Sequence, residues 1–345
     1  MMIPRRSWLA AVVVAAATLV GCGPGTEPQP TPTGPSWAQL FSELPGALIS
    51  VWGTDAKNVW AVGGDAGDGD GPMTMHFDGT RWTRHLTGKQ GDLWWVHGFE
   101  GGPLFMGGTK GQILRYEGGA FEPMATPASA GTIFGIWGAA PDDVWAVGGA
   151  GSTPTGGFLW HYDGKTWSPS PLAPSTLAAE ATVFKAWGTR ADDVWFVGTG
   201  GLILHYDGKA IEKVESPIQE TLFTVNGASG RVYAVGADGV ILENAGAGWA
   251  SAAPDNARQM NGVAALGDDA FAVGVYGGVM RREGGAWKAV DTGLSFQDDY
   301  HGVWLDPDGG AWCVGGQIAA DPLVEGTLTY FGEADIPGST FDTVK

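Results

Sequence analysis

One short block recurs along most of the sequence, and it limits the folds open to it. It reads Val59-Trp60-Ala61-Val62-Gly63, then in degenerate form Leu104-Phe105-Met106-Gly107. It returns as Val144-Trp145-Ala146-Val147-Gly148, Val194-Trp195-Phe196-Val197-Gly198 and Val232-Tyr233-Ala234-Val235-Gly236. The last two copies are Ala270-Phe271-Ala272-Val273-Gly274 and Ala311-Trp312-Cys313-Val314-Gly315. The closing glycines lie 44, 41, 50, 38, 38 and 41 residues apart. A self-similar period of this length marks one supersecondary unit per repeat, each unable to bury its apolar faces alone.

Each unit holds more than the block. An apolar run ending in Trp-Gly precedes it, as in Val51-Trp52-Gly53, Ile136-Trp137-Gly138 and Ala186-Trp187-Gly188. A second run ending in Asp-Gly follows, as in His76-Phe77-Asp78-Gly79, His161-Tyr162-Asp163-Gly164 and His205-Tyr206-Asp207-Gly208. Trp82 or Trp167 comes shortly after. This predicts four short antiparallel strands per unit and leaves no room for a helix. Asp-Gly between alternating apolar residues predicts a tight two-residue hairpin, with both turn residues at positive φ. The acidic pairs Asp142-Asp143 and Asp192-Asp193 are expected to cap the turn between the first two strands. Seven four-stranded sheets stacked around an axis bury their faces and leave only short edges, so the fold class is an all-β, seven-bladed β-propeller. The Trp residues ending the first strand and within the second are the expected wedges between blades.

Closure of the ring also has a signal. The last unit runs through Thr327-Leu328-Thr329-Tyr330-Phe331-Gly332, matching a third strand, and Glu333 to Lys345 lacks the aromatic of a clear fourth. Ser36-Trp37-Ala38-Gln39-Leu40, ahead of the first unit, resembles a fourth strand. Trp37 to Leu40 is therefore expected to complete the seventh blade.

The amino end carries an address. Arg5 and Arg6 precede a 13-residue uncharged stretch, Trp8 to Val20, too short to span a bilayer comfortably but matching a signal peptide. Leu19-Val20-Gly21-Cys22 resembles the lipobox of bacterial lipoproteins, which implies cleavage before Cys22 and acylation of that residue. Gly23 stands where that family's inner-membrane retention signal usually has Asp, so the resemblance implies the outer membrane. Residues 1–21 are read as the signal, 22–36 as lipidated Cys22 plus a Pro-rich tether, and 37–345 as the propeller. Cys22 and Cys313 are the only cysteines, so acylation of Cys22 precludes an intrachain disulfide, and Cys313 reads as a buried structural thiol.

Charge excludes one class of partner. With 19 Lys plus Arg against 37 Asp plus Glu, the net charge is −18, and nucleic acid binding needs a basic face. His76, His161 and His205 share one repeat position and cannot converge on one metal, whereas His97 and His301 fall near the axis. The loop Gly64-Asp65-Ala66-Gly67-Asp68-Gly69-Asp70-Gly71 interleaves three carboxylates with glycines, making Asp65, Asp68 and Asp70 candidate Ca²⁺ ligands. No other cofactor is indicated. The eight arginines beyond the signal are scattered, and no pair of carboxylates stands out for glycoside hydrolysis, so no catalytic residue is assigned. The longer loops, Gly149 to Gly157, Ser168 to Ala181 and Gly316 to Gly326, are expected on one face.

The string Trp187 to Gly208, WGTRADDVWFVGTGGLILHYDG, resembles the Trp-rich propeller repeats of bacterial surface lipoproteins. More loosely, the repeat is similar to photosystem II assembly-factor propellers and to the neuraminidase-repeat class, and it is WD40/YVTN-like in period. The resemblance implies a monomeric, lipid-anchored propeller of the cell envelope that acts as a rigid scaffold for a protein or glycan. It leaves two alternatives, a carbohydrate-active enzyme of sialidase type and an assembly factor for envelope complexes. An arginine cluster with a Glu in the central funnel points to the enzyme; an apolar or merely acidic funnel points to the binder.

Overall fold

The computed structural model describes residues 34–128, 131–151, 153, 155–295 and 298–345. Each repeat folds as its alternating apolar residues direct, into four short antiparallel strands paired in sequence order. In the third repeat these are Thr132–Ala140, Asp143–Gly149, Phe158–Tyr162 and Trp167–Pro169. In the fourth they are Val183–Arg190, Asp193–Gly198, Ile203–Tyr206 and Ile211–Lys213. Among the described residues the strands make seven such sheets. Their first strands touch one another in a closed circle, the seventh (Asp299–Leu305) meeting the first (Leu48–Asp55). These are the inner strands of a seven-bladed β-propeller. Among the described residues one α-helix of four residues, Leu177–Glu180, lies between the third and fourth blades, and four 3-10 turns join second to third strands. Among the described residues no helix is long and apolar enough to cross a membrane.

The ring is closed twice. Ser36–Gly46 pairs antiparallel with Val324–Gly332 as the outer strand of the seventh blade, Trp37 opposite Phe331. The strand is longer than Trp37 to Leu40, and its buried Leu40, Phe41 and Leu44 enter a core cluster with Met75, Phe77 and Trp82 of the first blade. The carboxyl end does form a strand. Phe341–Val344 adds in parallel to Trp82–His85, giving the first blade a fifth strand. It has no aromatic periodicity to announce it, because it docks on a ready-made edge through its backbone.

The Trp-Gly doublet has a physical reason. The Trp of one blade lies on the Gly of the next, and a Cβ on Gly188 would stand 2.7 Å from the Trp137 ring, one on Gly227 2.8 Å from Trp187. The seventh blade meets the first the same way, Trp304 on Gly53. The second-strand aromatics bridge the same seams: Trp145 lies 5.4 Å from Phe196, and Trp312 6.2 Å from Trp82. Large rings seated on bare backbone let twisted sheets pack closely without voids.

The third-to-fourth strand turn is wider than a two-residue hairpin. Tyr162 pairs with Trp167, which leaves four residues in the loop, and only Gly164 has positive φ, at 86°. Asp163 Oδ1 accepts the backbone N–H groups of Lys165 and Thr166, and Asp207 does the same for Lys209 and Ala210. The side chain replaces the backbone bond that a tighter turn would make.

Candidate functional site

Every inner strand carries a β-bulge at the same place. The pairing skips Ile49, Trp94, Phe134, Phe184, Phe223, Asn261 and His301, one residue in each blade. A bulge breaks the alternation of a strand and re-aims its side chain. Here six of the seven, all but Ile49, line one cavity of about 430 Å³ on the axis. Four consecutive aromatics form its wall in edge-on or tilted contact: Trp94 to Phe134 at 5.1 Å, Phe134 to Phe184 at 5.1 Å and Phe184 to Phe223 at 5.8 Å. His301 extends the arc, 5.8 Å from Trp94. Thr109, Ala150, Gly151 and Ile318, from loops joining second to third strands, form the rim. The 168–181 loop is bonded to the one before it, Gly157 N–H donating to the Ala181 carbonyl at 2.9 Å, but among the described residues of the longer loops only Ala150, Gly151 and Ile318 line the cavity.

The residue after the bulge in the fourth blade is Lys185, only 3% exposed. Its Nζ donates to the Phe134 carbonyl at 2.5 Å and lies 4.2 Å from the Trp95 ring centroid. The ammonium reaches back past Gly135, whose missing side chain opens the path; a Cβ there would stand 2.9 Å from Lys185 Cα. Among the described residues no carboxylate pairs with it, and burial pushes its pKa down from 10.5 to about 7. His301 Nδ1 donates to the Ile49 carbonyl at 2.7 Å, so Nε2 is the accepting nitrogen. Burial, then the nearby Lys185, lowers His301 to about 3 and keeps the ring neutral. Asp92 also lines the cavity, its carboxyl raised chiefly by burial. Two buried donors in the lining have no partner among the described residues, Trp94 Nε1 and Thr109 Oγ1.

The other sequence candidates are dispersed. His97 lies away from this cavity, its Nε2 accepting the Gly138 N–H of the next blade at 3.2 Å. His76, His161 and His205 bond Asn58, Asp143 and Asp193 at 2.8, 2.6 and 2.7 Å. Each also lies against the second-strand indole of its own blade, Trp60, Trp145 or Trp195. Asp143 and Asp193 thus hold histidines, Asp193 also accepting from Thr189 Oγ1 across its turn as expected, and the set is a repeated cross-strand clasp. His161→Ala is expected to lower stability by about 1 kcal/mol in a urea melt.

In the acidic loop, Asp65 accepts the N–H groups of Gly67 and Gly91. Asp68 and Asp70 flank the buried Arg84 guanidinium at 3.4 and 3.7 Å. Among the described residues no group of three or more His, Cys, Asp or Glu is placed to hold a metal ion. Cys22 lies outside the described residues. Cys313 is buried, and burial pushes its thiol up to about 12.

Lys185 and the aromatic arc escape a reading of motifs because the bulge, not the sequence, turns them inward. Their signal is a single column, three residues before the Trp near the end of the first strand, filled by Ile49, Phe134, Phe184 and His301 while its neighbours repeat.

No protein family's sequence profile matches the chain, and no curated protein does. Solved structures do. Streptogramin B lyase aligns with a TM-score of 0.66 at 14% identity, over 86% of this chain and 97% of that one. The WD40 propeller domain of Doa1 gives 0.65 at 16%, over 88% and 98%. YCF48 from Cyanidioschyzon merolae gives 0.65 at 14%, over 87% and 100%. The fold is shared. At such identities the likeness shows the fold alone, and one of these neighbours, a lyase, is an enzyme.

Proposed function

We propose that this protein is a non-catalytic binding propeller, anchored to the bacterial outer membrane through a lipid on Cys22, that receives a group of its ligand in the axial cavity. It acts as a monomer and presents the long-loop face to a protein or glycan partner. The observation that carries the reading is the lining of the cavity. An arc of four aromatic rings stands beside the polar groups of Asp92, Lys185, Gln259, Asn261 and His301, and apolar rings with convergent polar groups are the usual make-up of a ligand site. No arginine or glutamate is among its described lining residues, and Asp92 is the sole carboxylate. A sialidase-like site needs the arginines, and glycoside hydrolysis needs a second carboxylate. The likeness in fold to YCF48, also solved with a D1 peptide bound, is in keeping with a protein partner.

Two experiments test this. Cys22→Ser is expected to abolish palmitate labelling and move the protein from the membrane to the soluble fraction; unchanged labelling overturns the anchor. Thermal-shift screening of peptides, glycans and small metabolites is expected to yield ligands that are recovered unaltered. Phe184→Ala is expected to weaken them by about tenfold or more, the scale of losing one buried aromatic contact. Turnover of a ligand, or binding unmoved by Phe184→Ala, overturns the reading.

A further inference from the structure

The polar groups of the axial cavity are poorly matched to one another. Lys185 is a buried ammonium with no carboxylate to balance it among the described residues. Of its hydrogens, one is taken by the Phe134 carbonyl. Trp94 Nε1 and Thr109 Oγ1 are buried donors without acceptors. A buried donor left unmade is costly, and a buried charge left unpaired more so. The Lys185 cation and these two donors therefore stand without an anion bonded to them, although the Asp92 carboxyl and the accepting His301 Nε2 share the lining. Around these donors stands the wall of Trp94, Phe134, Phe184 and Phe223, suited to a flat ring. A dianion is disfavoured by Asp92 in the same lining and by the single cation.

We propose that the axial cavity binds an aromatic monocarboxylate, with the carboxylate on Lys185 Nζ and the ring against the Phe134–Phe184 side of the wall. This rests on the reading of the cavity as the ligand site and names the chemistry it selects. The ligand carboxylate supplies the counterion the fold withholds, and above pH 7, where Lys185 is mainly the neutral amine, that amine takes up a proton as the ligand enters. The titratable groups facing Lys185 are His301 of the seventh blade, already neutral, and Asp92 of the second. The inner strands on either side, Thr132–Ala140 and Leu222–Ala228, carry none. Asp143 and Asp193, on the adjoining second strands, lie at the far ends of those strands. Proton uptake on binding is thus assigned to Lys185.

The test is calorimetry on the full-length protein with indole-3-acetate and its neutral counterpart indole-3-acetamide. The acid is expected to bind at least about tenfold tighter than the amide, as a charge-assisted bond outweighs a neutral one. At about pH 8 its binding is expected to take up close to one proton, read from the dependence of heat on buffer ionisation enthalpy. Lys185→Met, checked for folding by its thermal transition, is expected to lose both the preference and the proton uptake. Phe184→Ala is expected to weaken acid and amide alike. N-acetyltryptophan, which mimics the carboxyl end of a polypeptide, and phenylacetate, a free acid, distinguish the two sources of such a carboxylate; Lys185-dependent binding of either supports the assignment. Equal binding of acid and amide by the wild type overturns it while the cavity stands as the ligand site. Absence of binding by every aromatic acid overturns it too, and if the wider screen also finds no ligand sensitive to Phe184→Ala, the cavity reading falls with it.

Discussion

Lys185→Met is expected to make the protein more stable at pH 7, by about 3 kcal/mol. The depression of the ammonium from 10.5 to about 7 corresponds to roughly 5 kcal/mol of preference for the neutral amine. Loss of the bond to the Phe134 carbonyl gives back about 1–2 kcal/mol. The pH dependence follows from the sign of the shift. Between about pH 7 and pH 10.5 the folded protein holds fewer protons at this site than the unfolded one, so stability rises with pH in that window. Below pH 7 the penalty is present in full. The difference between wild type and Lys185→Met should thus be largest at pH 6–7 and shrink toward pH 10. Cys313, whose buried thiol acts in the opposite sense above about pH 9, is common to both proteins and cancels in the difference. Paired urea melts across this range check the claim; a variant less stable than wild type at pH 7 sinks it. A stability-limiting lysine at a ligand wall is the pattern expected where function opposes stability.

Removal of residues 36–46 is expected to abolish cooperative unfolding at ordinary temperature. That strand fills the outer position of the seventh blade and places Phe41, 4% exposed, edge-on to Trp82 at 5.6 Å and against Phe341 at 6.1 Å. Thr327 Oγ1 also donates to the Phe41 carbonyl at 3.0 Å. Without the strand, one blade loses its edge and the seam between first and last blades loses its core. No disulfide among the described residues holds that seam, since Cys313 is free. Phe41→Ala alone is expected to cost about 3–5 kcal/mol. Deletion of 333–345 is expected to cost less, because its strand Phe341–Val344 carries one half-buried ring and three exposed residues. Urea melts of the three variants rank them; a deletion of 36–46 that melts like wild type removes the closure from the account.

The blades were legible because their information is local. A period of about 42 residues, Trp-Gly doublets and Asp-Gly turns each act within a few residues or between adjacent repeats. Even the closure strand at Trp37 showed itself, since it copies a pattern stated in other repeats. The width of the Asp163 and Asp207 turns did not, because an Asp carboxylate can close two different loops and pairing register chooses between them. The parallel strand at Phe341–Val344 did not, because edge pairing reads backbone rather than side chains.

The sequence by itself determined the number of blades, their four strands and the amino-terminal strand that completes the last blade, since hydrophobic alternation and turn chemistry act at short range. Only the tertiary structure decided that Phe184 and Lys185, neighbours in one strand, serve a common cavity with Trp94 and His301. Radial stacking sets seven bulges around one axis, and burial at that axis, absent from any single repeat, is what strips Lys185 of a counterion and shifts its proton.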